Sequence, residues 1–133
     1  MMIRISTESG LRHSIEIGEH QLHTDVPVAH GGGASAPEPH DLFDAALGAC
    51  KALTLMLYAR QRGLPLDSLD VRVNRDDSQE RQGTYRLAVE LELHGALDEE
   101  QRQQLLRIAD KCPVHKLMTG VDVQIETRLG DGA

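Results

Sequence analysis

Alternation of apolar and polar residues predicts short β-strands at the start of the chain. Residues 3–6 alternate isoleucine with polar side chains, and residues 14–17 repeat the pattern. A period of two is typical of a strand with one buried face. Residues 18–19, Gly-Glu, indicate a hairpin turn that leads to a further short segment over 21–24. The pattern therefore predicts two or three strands in the N-terminal part.

A long helix is predicted over residues 39–62. Pro39 suits the first helical position, Asp41 complements the helix dipole in the first turn, and Gly63 ends the helix. Residues 42–58 are apolar on nearly every face, and a helix without a polar face has to be covered on all sides. Because one small sheet covers only one side, the pattern predicts a homodimer in which a second copy covers the other.

The second half of the chain predicts a hairpin followed by an amphipathic helix. Residues 71–74 and 85–94 alternate with period two and are joined by a polar turn over 76–83. Asp98 and Gln101 form a capping box that opens the helix. The helical spacing then places four residues on one core-facing side: Leu105, Ile108, Ala109 and Cys112.

The end of the chain leaves one choice open and completes the order of elements. Pro113 either stops the amphipathic helix or opens a short second one through Met118, and residues 121–125 alternate like a last strand. The predicted order is βββ-α-ββ-α(α)-β. Segregated strands and two main helices define an α+β fold with antiparallel sheets, and a chain of 133 residues predicts a single domain over 1–133.

Composition narrows the classes of partner. With one Phe, two Tyr and no Trp, the core has to be largely aliphatic. A formal net charge of -7 disfavours nucleic acid and an anionic membrane surface, since both attract basic proteins. No run of 18 apolar residues is present, and residues 1–10 lack the apolar run of a signal peptide. We therefore expect a cytoplasmic protein with neither a nucleic-acid nor a membrane partner.

Two cysteines are the candidate chemistry. Cys50 lies in the middle of the apolar helix, and Cys112 lies at the end of the amphipathic one. In a cytoplasmic protein such residues are either functional thiols or inert parts of the core, and the residues alone leave both interpretations open. Zinc is disfavoured because Pro113 separates Cys112 from His115 and no C-x-x-C or H-x-x-x-H motif accompanies them. No metal site is predicted.

Two segments surround the cysteines: Gly31-Gly32 with residues 39–50, PHDLFDAALGAC, and residues 112–116, CPVHK. They resemble the two halves of the signature of the OsmC/Ohr family. The separation of 62 positions between the cysteines is also similar to that of the family. The resemblance covers nearly the whole chain. It implies an intertwined α+β homodimer that reduces organic hydroperoxides with two thiols, without a metal or an organic cofactor.

The resemblance also implies roles for the cysteines. Cys50 matches the peroxidatic residue, whose thiolate attacks the distal peroxide oxygen and gives a sulfenic acid and an alcohol. Cys112 matches the resolving residue, which condenses with the sulfenic acid to form a disulfide and water. An external thiol reductant, which the sequence does not identify, then restores both thiols.

A thiolate in an apolar helix needs a cation beside it. Apolar surroundings disfavour the charged form of a thiol, and the middle of a helix gains little from the dipole. The family uses an Arg from the N-terminal strands, and Arg12 is the match, with Arg4 as the alternative. The family Glu that holds this Arg is absent. His40 occupies the position of this Glu and Asp41 follows, so either residue is the candidate replacement. The absence of the Glu is expected to affect the efficiency and the substrate of the peroxidase.

A second hypothesis needs no turnover. A non-catalytic OsmC-like dimer, stress-associated or ligand-binding, would keep the fold and the thiols while the missing Glu costs it activity. Loss of thiols on mixing with an organic hydroperoxide separates the two hypotheses.

Overall fold

The computed structural model describes residues 1–132 and confirms an α+β fold with small antiparallel sheets. Within these residues the chain forms five strands and three α-helices. The elements are β1 (Ile3–Ser9), β2 (Arg12–Ile17), β3 (His20–Thr24), α1 (Pro39–Arg62), β4 (Ser68–Asp76), β5 (Arg86–His94), α2 (Glu99–Ala109) and α3 (Pro113–Thr119). The helix predicted over 39–62 is confirmed at both ends.

The N-terminal strands form one antiparallel sheet in the order β1-β2-β3. Ile5 lies opposite Ile15, and Ile15 lies opposite Leu22, so the alternating isoleucines of the sequence share one row across the sheet. Gly18 takes a left-handed φ of 61° in the turn between β2 and β3, a conformation that glycine adopts without strain. Only Ile15 of this row is buried, while Ile5 and Leu22 stay about half exposed.

The chain divides into two compact units. One contains Met1–Ala46 and Val73–Ala88, and the other contains Leu47–Arg72 and the chain from Val89 onward. Helix α1 and the β4–β5 hairpin therefore contribute residues to both units. The single domain expected over residues 1–133 stays a prediction.

The second unit has an aliphatic core. Five of its residues are almost completely buried: Leu55, Ala59, Leu66, Leu105 and Ala109. The capping box opens α2 as predicted, since the Asp98 side chain accepts from the Gln101 N–H at 2.8 Å and Gln101 Oε1 accepts from the Asp98 N–H at 3.0 Å. The helix buries Leu105 and Ala109 of the face that the spacing predicted, but it ends at Ala109, so the prediction that Cys112 lies on this helix is wrong.

The C-terminal part settles the choice at Pro113 and corrects one prediction. Pro113 opens the short helix α3, and Cys112 is its N-cap. The last strand predicted over residues 121–125 is wrong for the described chain, which is without regular structure there. A strand needs a neighbour for its backbone groups, and neither sheet of the described chain pairs with this segment. Its Val123 and Ile125 are exposed.

Helix α1 has one buried face and one exposed apolar face. Leu55 and Ala59 are buried, whereas Phe43, Leu53 and Leu57 are 47%, 64% and 54% exposed. The prediction of burial on every side is therefore not met within one chain. By length and composition α1 is also able to cross a membrane, a test that the core helix of a soluble protein passes equally.

Candidate functional site

Both cysteines lie in the second unit as free thiols. Cys50, on α1, is partly exposed, and Cys112, in front of α3, is completely buried. Burial raises the pKa of the Cys112 thiol, and hydrogen bonding with the neighbouring Cys50 thiol raises it further. The His115 N–H and the charge of Lys51 act in the other direction, since both favour the thiolate and lower this pKa. The structure thus brings the two predicted thiols together.

Lys51 follows Cys50 and is buried, with 2% of its surface exposed. Its ammonium donates to the Ala109 carbonyl at 2.8 Å, to His115 Nδ1 at 2.9 Å and to Asp110 Oδ1 at 3.4 Å. These bonds connect α1 to the α2–α3 turn that carries Cys112. Lys51 was not among the predicted site residues, although a lysine inside the apolar run 42–58 was a usable signal, since a buried charge requires partners.

Arg12 lies on β2 in the first unit and is held from two sides. Its Nε donates to Glu8 Oε1 at 3.2 Å, and its Nη1 donates to the Ser35 carbonyl at 3.0 Å and to Ser35 Oγ at 2.8 Å. Within residues 1–132 its Nη2 makes no hydrogen bond. The alternative cation, Arg4, lies opposite Glu16 in the β1–β2 pair.

Asp25 fixes the loop that holds Arg12. Its carboxylate accepts from Ser35 Oγ at 2.6 Å and from the Val26 and Gly33 N–H groups. The Ser35 hydroxyl and these backbone groups lower the pKa of Asp25 to about 2. At Gly32 a Cβ atom would lie 2.1 Å from the Val26 carbonyl oxygen, so the glycine run allows the loop to fold closely around Asp25.

His40, at the start of α1, stands between two carboxylates of the first unit. Its Nδ1 lies 3.1 Å from Glu38 Oε2, and its Nε2 lies 3.0 Å from Glu80 Oε1. Both raise the pKa of His40 above its ordinary 6.5, Glu80 more strongly. His40, Phe43 and Tyr85 line an open, mostly apolar groove of about 390 Å³.

Asp41 contacts a different arginine from the one expected. The guanidinium of Arg75 donates to Asp41 Oδ1 and, at 2.6 Å, to Asp44 Oδ2. Arg75 lowers the pKa of Asp41. Asp44 also accepts from the Tyr85 hydroxyl at 2.7 Å, and burial together with this bond raises the pKa of Tyr85 to about 12. Asp44 is the second charge inside the apolar run, and like Lys51 it was missed.

The predicted site residues therefore fall into three places. Cys50 and Cys112 are neighbours in the second unit. Arg12 is bound to Glu8 and Ser35 in the first unit, and His40 and Asp41 share the start of α1 in that same unit.

One group of metal-ligating residue types lies on the β4–β5 hairpin. Ligand atoms of Asp70, Glu92 and His94 lie within 4.8 Å of one another. Glu92 also accepts a hydrogen bond from Arg72 at 3.0 Å, and the carboxylates are exposed. The positive charge of Arg72 therefore already balances part of the negative charge of this cluster. It contains neither cysteine.

The carboxylates around His40 give a testable pH dependence. We expect its imidazole to titrate above 6.5 in a pH series of NMR spectra, and Glu80→Gln to bring the pKa back toward that value. Because the folded-state pKa is raised, the ion pair stabilises the fold fully below pH 6.5, and this contribution is lost as the pH rises through the raised pKa. Glu100→Gln, at the start of α2, is the matched control. A His40 pKa that Glu80→Gln leaves unchanged would contradict the assignment.

Comparison with known proteins gives the family. The model of the OsmC-like protein family matches residues 31–126, which include both cysteines, and the chain belongs to this family. A search of curated proteins found no match.

Solved structures agree with the fold. One is a protein of Psychrobacter arcticus assigned to the osmotic-stress and detoxification response, with TM-score 0.76, 20% identity, and coverage of 90% of this chain and 89% of that one. Another, from Vibrio cholerae, is assigned to organic hydroperoxide resistance and holds captopril in one of its active sites. It has TM-score 0.63, 27% identity, and coverage of 90% and 85%. The organic hydroperoxide resistance protein OhrB of Bacillus subtilis gives TM-score 0.59, 24% identity, and coverage of 90% and 92%.

Proposed function

We propose that the chain is a thiol-dependent peroxidase that reduces organic hydroperoxides with Cys50 and Cys112. The observation that carries this proposal is the pair of free, neighbouring thiols, of which one is partly exposed and the other buried. The partly exposed Cys50 thiol is able to contact a substrate. The buried Cys112 thiol is able to react only with its neighbour, Cys50. The family membership and the hydroperoxide-resistance relatives support the same reaction.

The proposed cycle balances with two thiols and an external reductant. The Cys50 thiolate attacks the distal peroxide oxygen, the O–O bond breaks, and the alkoxide takes a proton and leaves as the alcohol. Cys112 then attacks the sulfur of the sulfenic acid, forms the S–S bond and releases water. Two equivalents of a reducing thiol restore both cysteines by exchange.

Arg12 is the proposed activating cation for Cys50. Its Nε and Nη1 are fixed by Glu8 and Ser35, and Asp25 in turn fixes Ser35. A guanidinium held in this way stays positively charged, and its Nη2 is the nitrogen proposed to donate to the Cys50 thiolate.

His40 and Asp41 keep separate proposed roles at the start of α1. We assign His40 to the groove, where its charge is balanced by Glu38 and Glu80, and Asp41 to Arg75. This charge pattern around the groove supports a difference in substrate from relatives that carry Glu at position 40.

The homodimer and the cytoplasmic location are further parts of this proposal. Phe43, Leu53 and Leu57 expose an apolar stripe at helical spacing along α1, and Cys50 lies between the first two in sequence, so the proposed interface has to leave a path to its sulfur. A second copy of the chain is the proposed cover for this stripe. Neither a metal nor an organic cofactor enters the proposed cycle.

The alternative is a non-catalytic, ligand-binding OsmC-like protein. The observation that favours it is His40 in the position of the family Glu, beside an open apolar groove. Such a protein would keep its thiols when it meets a peroxide.

Oxidation by a single equivalent of an organic hydroperoxide tests the proposal. We expect a Cys50–Cys112 disulfide in the wild-type chain and, after Cys112→Ser, a sulfenic acid on Cys50 that a dimedone probe traps. Mass spectrometry of the peptides identifies both products. Cys50→Ser is the control and should leave Cys112 reduced. Thiols that react no faster than free cysteine would contradict the peroxidase and favour the alternative.

A further inference from the structure

A buried lysine lies beside the thiol pair. The Lys51 ammonium makes its two shortest bonds to Ala109 and His115, the residues three before and three after Cys112. These bonds, at 2.8 and 2.9 Å, hold a positive charge over the turn in which Cys112 is buried. A buried charge with complete hydrogen bonding is stable in place, and its field is poorly screened.

The groups that face Cys112 divide into those that favour its thiolate and one that opposes it. Lys51 on α1 favours the charged form of Cys112. The backbone N–H of His115 on α3, with its nitrogen 3.4 Å from Cys112 Sγ, also favours it. Cys50 on α1 opposes it once Cys50 itself carries charge. Asp110 balances part of the lysine charge at 3.4 Å, but its side chain is 75% exposed and therefore well screened.

His115 has its tautomer set by the same lysine. An ammonium has donors only, so Nδ1 of His115 accepts and the ring proton resides on Nε2. His115 Nδ1 also lies 3.9 Å from Asp110 Oδ1, so Lys51, Asp110 and His115 form one network beside Cys112.

We propose that Lys51 is a positioning residue for the second half of the cycle, where it favours the Cys112 thiolate that closes the disulfide onto Cys50. This inference rests on the proposed function for its place in the cycle. In the closing step the Cys112 S–H bond breaks, the new S–S bond forms, and the proton leaves with the hydroxide of the sulfenic acid as water. Arg12 would act on the first step and Lys51 on the second.

A disulfide probe measures the closing step without any peroxide. One equivalent of 5,5′-dithiobis(2-nitrobenzoate) should place a mixed disulfide on Cys50 and release one thionitrobenzoate. Attack by the Cys112 thiolate on the Cys50 sulfur then expels the second thionitrobenzoate with its electron pair. The rate of this second release, followed by absorbance from neutral to alkaline pH, reports the reactivity of Cys112.

Lys51→Met should slow the second release about tenfold at neutral pH and move its pH profile upward by about one unit, since neighbouring charges shift pKa values by this order. Lys51→Arg should keep most of the wild-type profile. Lys111→Met, an exposed lysine beside Cys112, is the matched control and should change nothing. The circular dichroism of each variant is compared with the wild type.

Three results would overturn the inference. They are an unchanged profile in Lys51→Met, an equal slowing at every pH, which a purely structural role would cause, and a wild type that releases only one thionitrobenzoate. Failure of the peroxidase proposal looks different. In that case closure still depends on Lys51 and pH, while an organic hydroperoxide leaves Cys50 reduced.

Discussion

Arg12→Ala should slow the reaction of Cys50 with peroxide by several-fold to about a hundredfold, because a neighbouring cation typically lowers a thiol pKa by one unit or more. Each unit of increase costs about tenfold in thiolate at neutral pH, and the higher nucleophilicity of a more basic thiol returns only part of this. Part of the loss should therefore return at high pH. The measurement is the pH dependence of Cys50 alkylation in the Cys112→Ser background.

The second arginine of the N-terminal sheet supplies the control for this experiment. Arg4→Ala removes the same charge from β1 and should leave the alkylation curve of Cys50 in place. The fold should tolerate both changes, because neither side chain belongs to the buried core. If the curve moves with Arg4→Ala and not with Arg12→Ala, the activating cation is Arg4.

Leu53→Glu should convert the proposed dimer into a monomer. Leu53 is 64% exposed in the single chain, on the apolar stripe of α1, so a partner that covers it would have to bury the new carboxylate. An unpaired buried charge costs several kcal/mol, which weakens association by about a thousandfold. Sedimentation at micromolar concentration should show a wild-type dimer and a smaller Leu53→Glu species.

The same substitution at a fully exposed leucine separates charge from position. Leu129 is 97% exposed near the C-terminus, and Leu129→Glu should leave the dimer intact. A wild-type chain that sediments as a folded monomer would exclude the dimer. A Leu53→Glu variant that stays dimeric would place the interface elsewhere.

Local patterns predicted most of the elements because their causes are local. Proline and glycine mark the ends of α1, and the Asp98–Gln101 box marks the start of α2, all within a few residues of the boundary. The alternation over residues 121–125 predicted a strand just as clearly, yet the described chain forms none there. A strand depends on a partner that is distant in sequence, and alternation records an apolar face without recording what pairs with it.

Of the candidate site, the sequence predicted the residues that belong to motifs but not the contacts between residues that are distant in the chain. The cysteine motifs identified Cys50 and Cys112 as a pair, and the structure makes them neighbours. The partners of Lys51 lie 58 to 64 positions away, so only the folded chain reveals them. Asp41 was a candidate for holding Arg12, but Arg75, 34 positions further on, occupies it instead.

The unequal exposure of the two thiols gives the proposed disulfide a direction when it is reduced. Cys112 has no exposed surface, whereas Cys50 is partly open to solvent. An incoming reductant thiol therefore reaches the sulfur of Cys50, and Cys112 becomes the leaving group. The positive charge of Lys51 would then stabilise the negative charge that forms on the Cys112 sulfur. The mixed disulfide with the reductant accordingly forms on Cys50, which makes Cys112→Ser the variant with which to capture the unknown reducing partner.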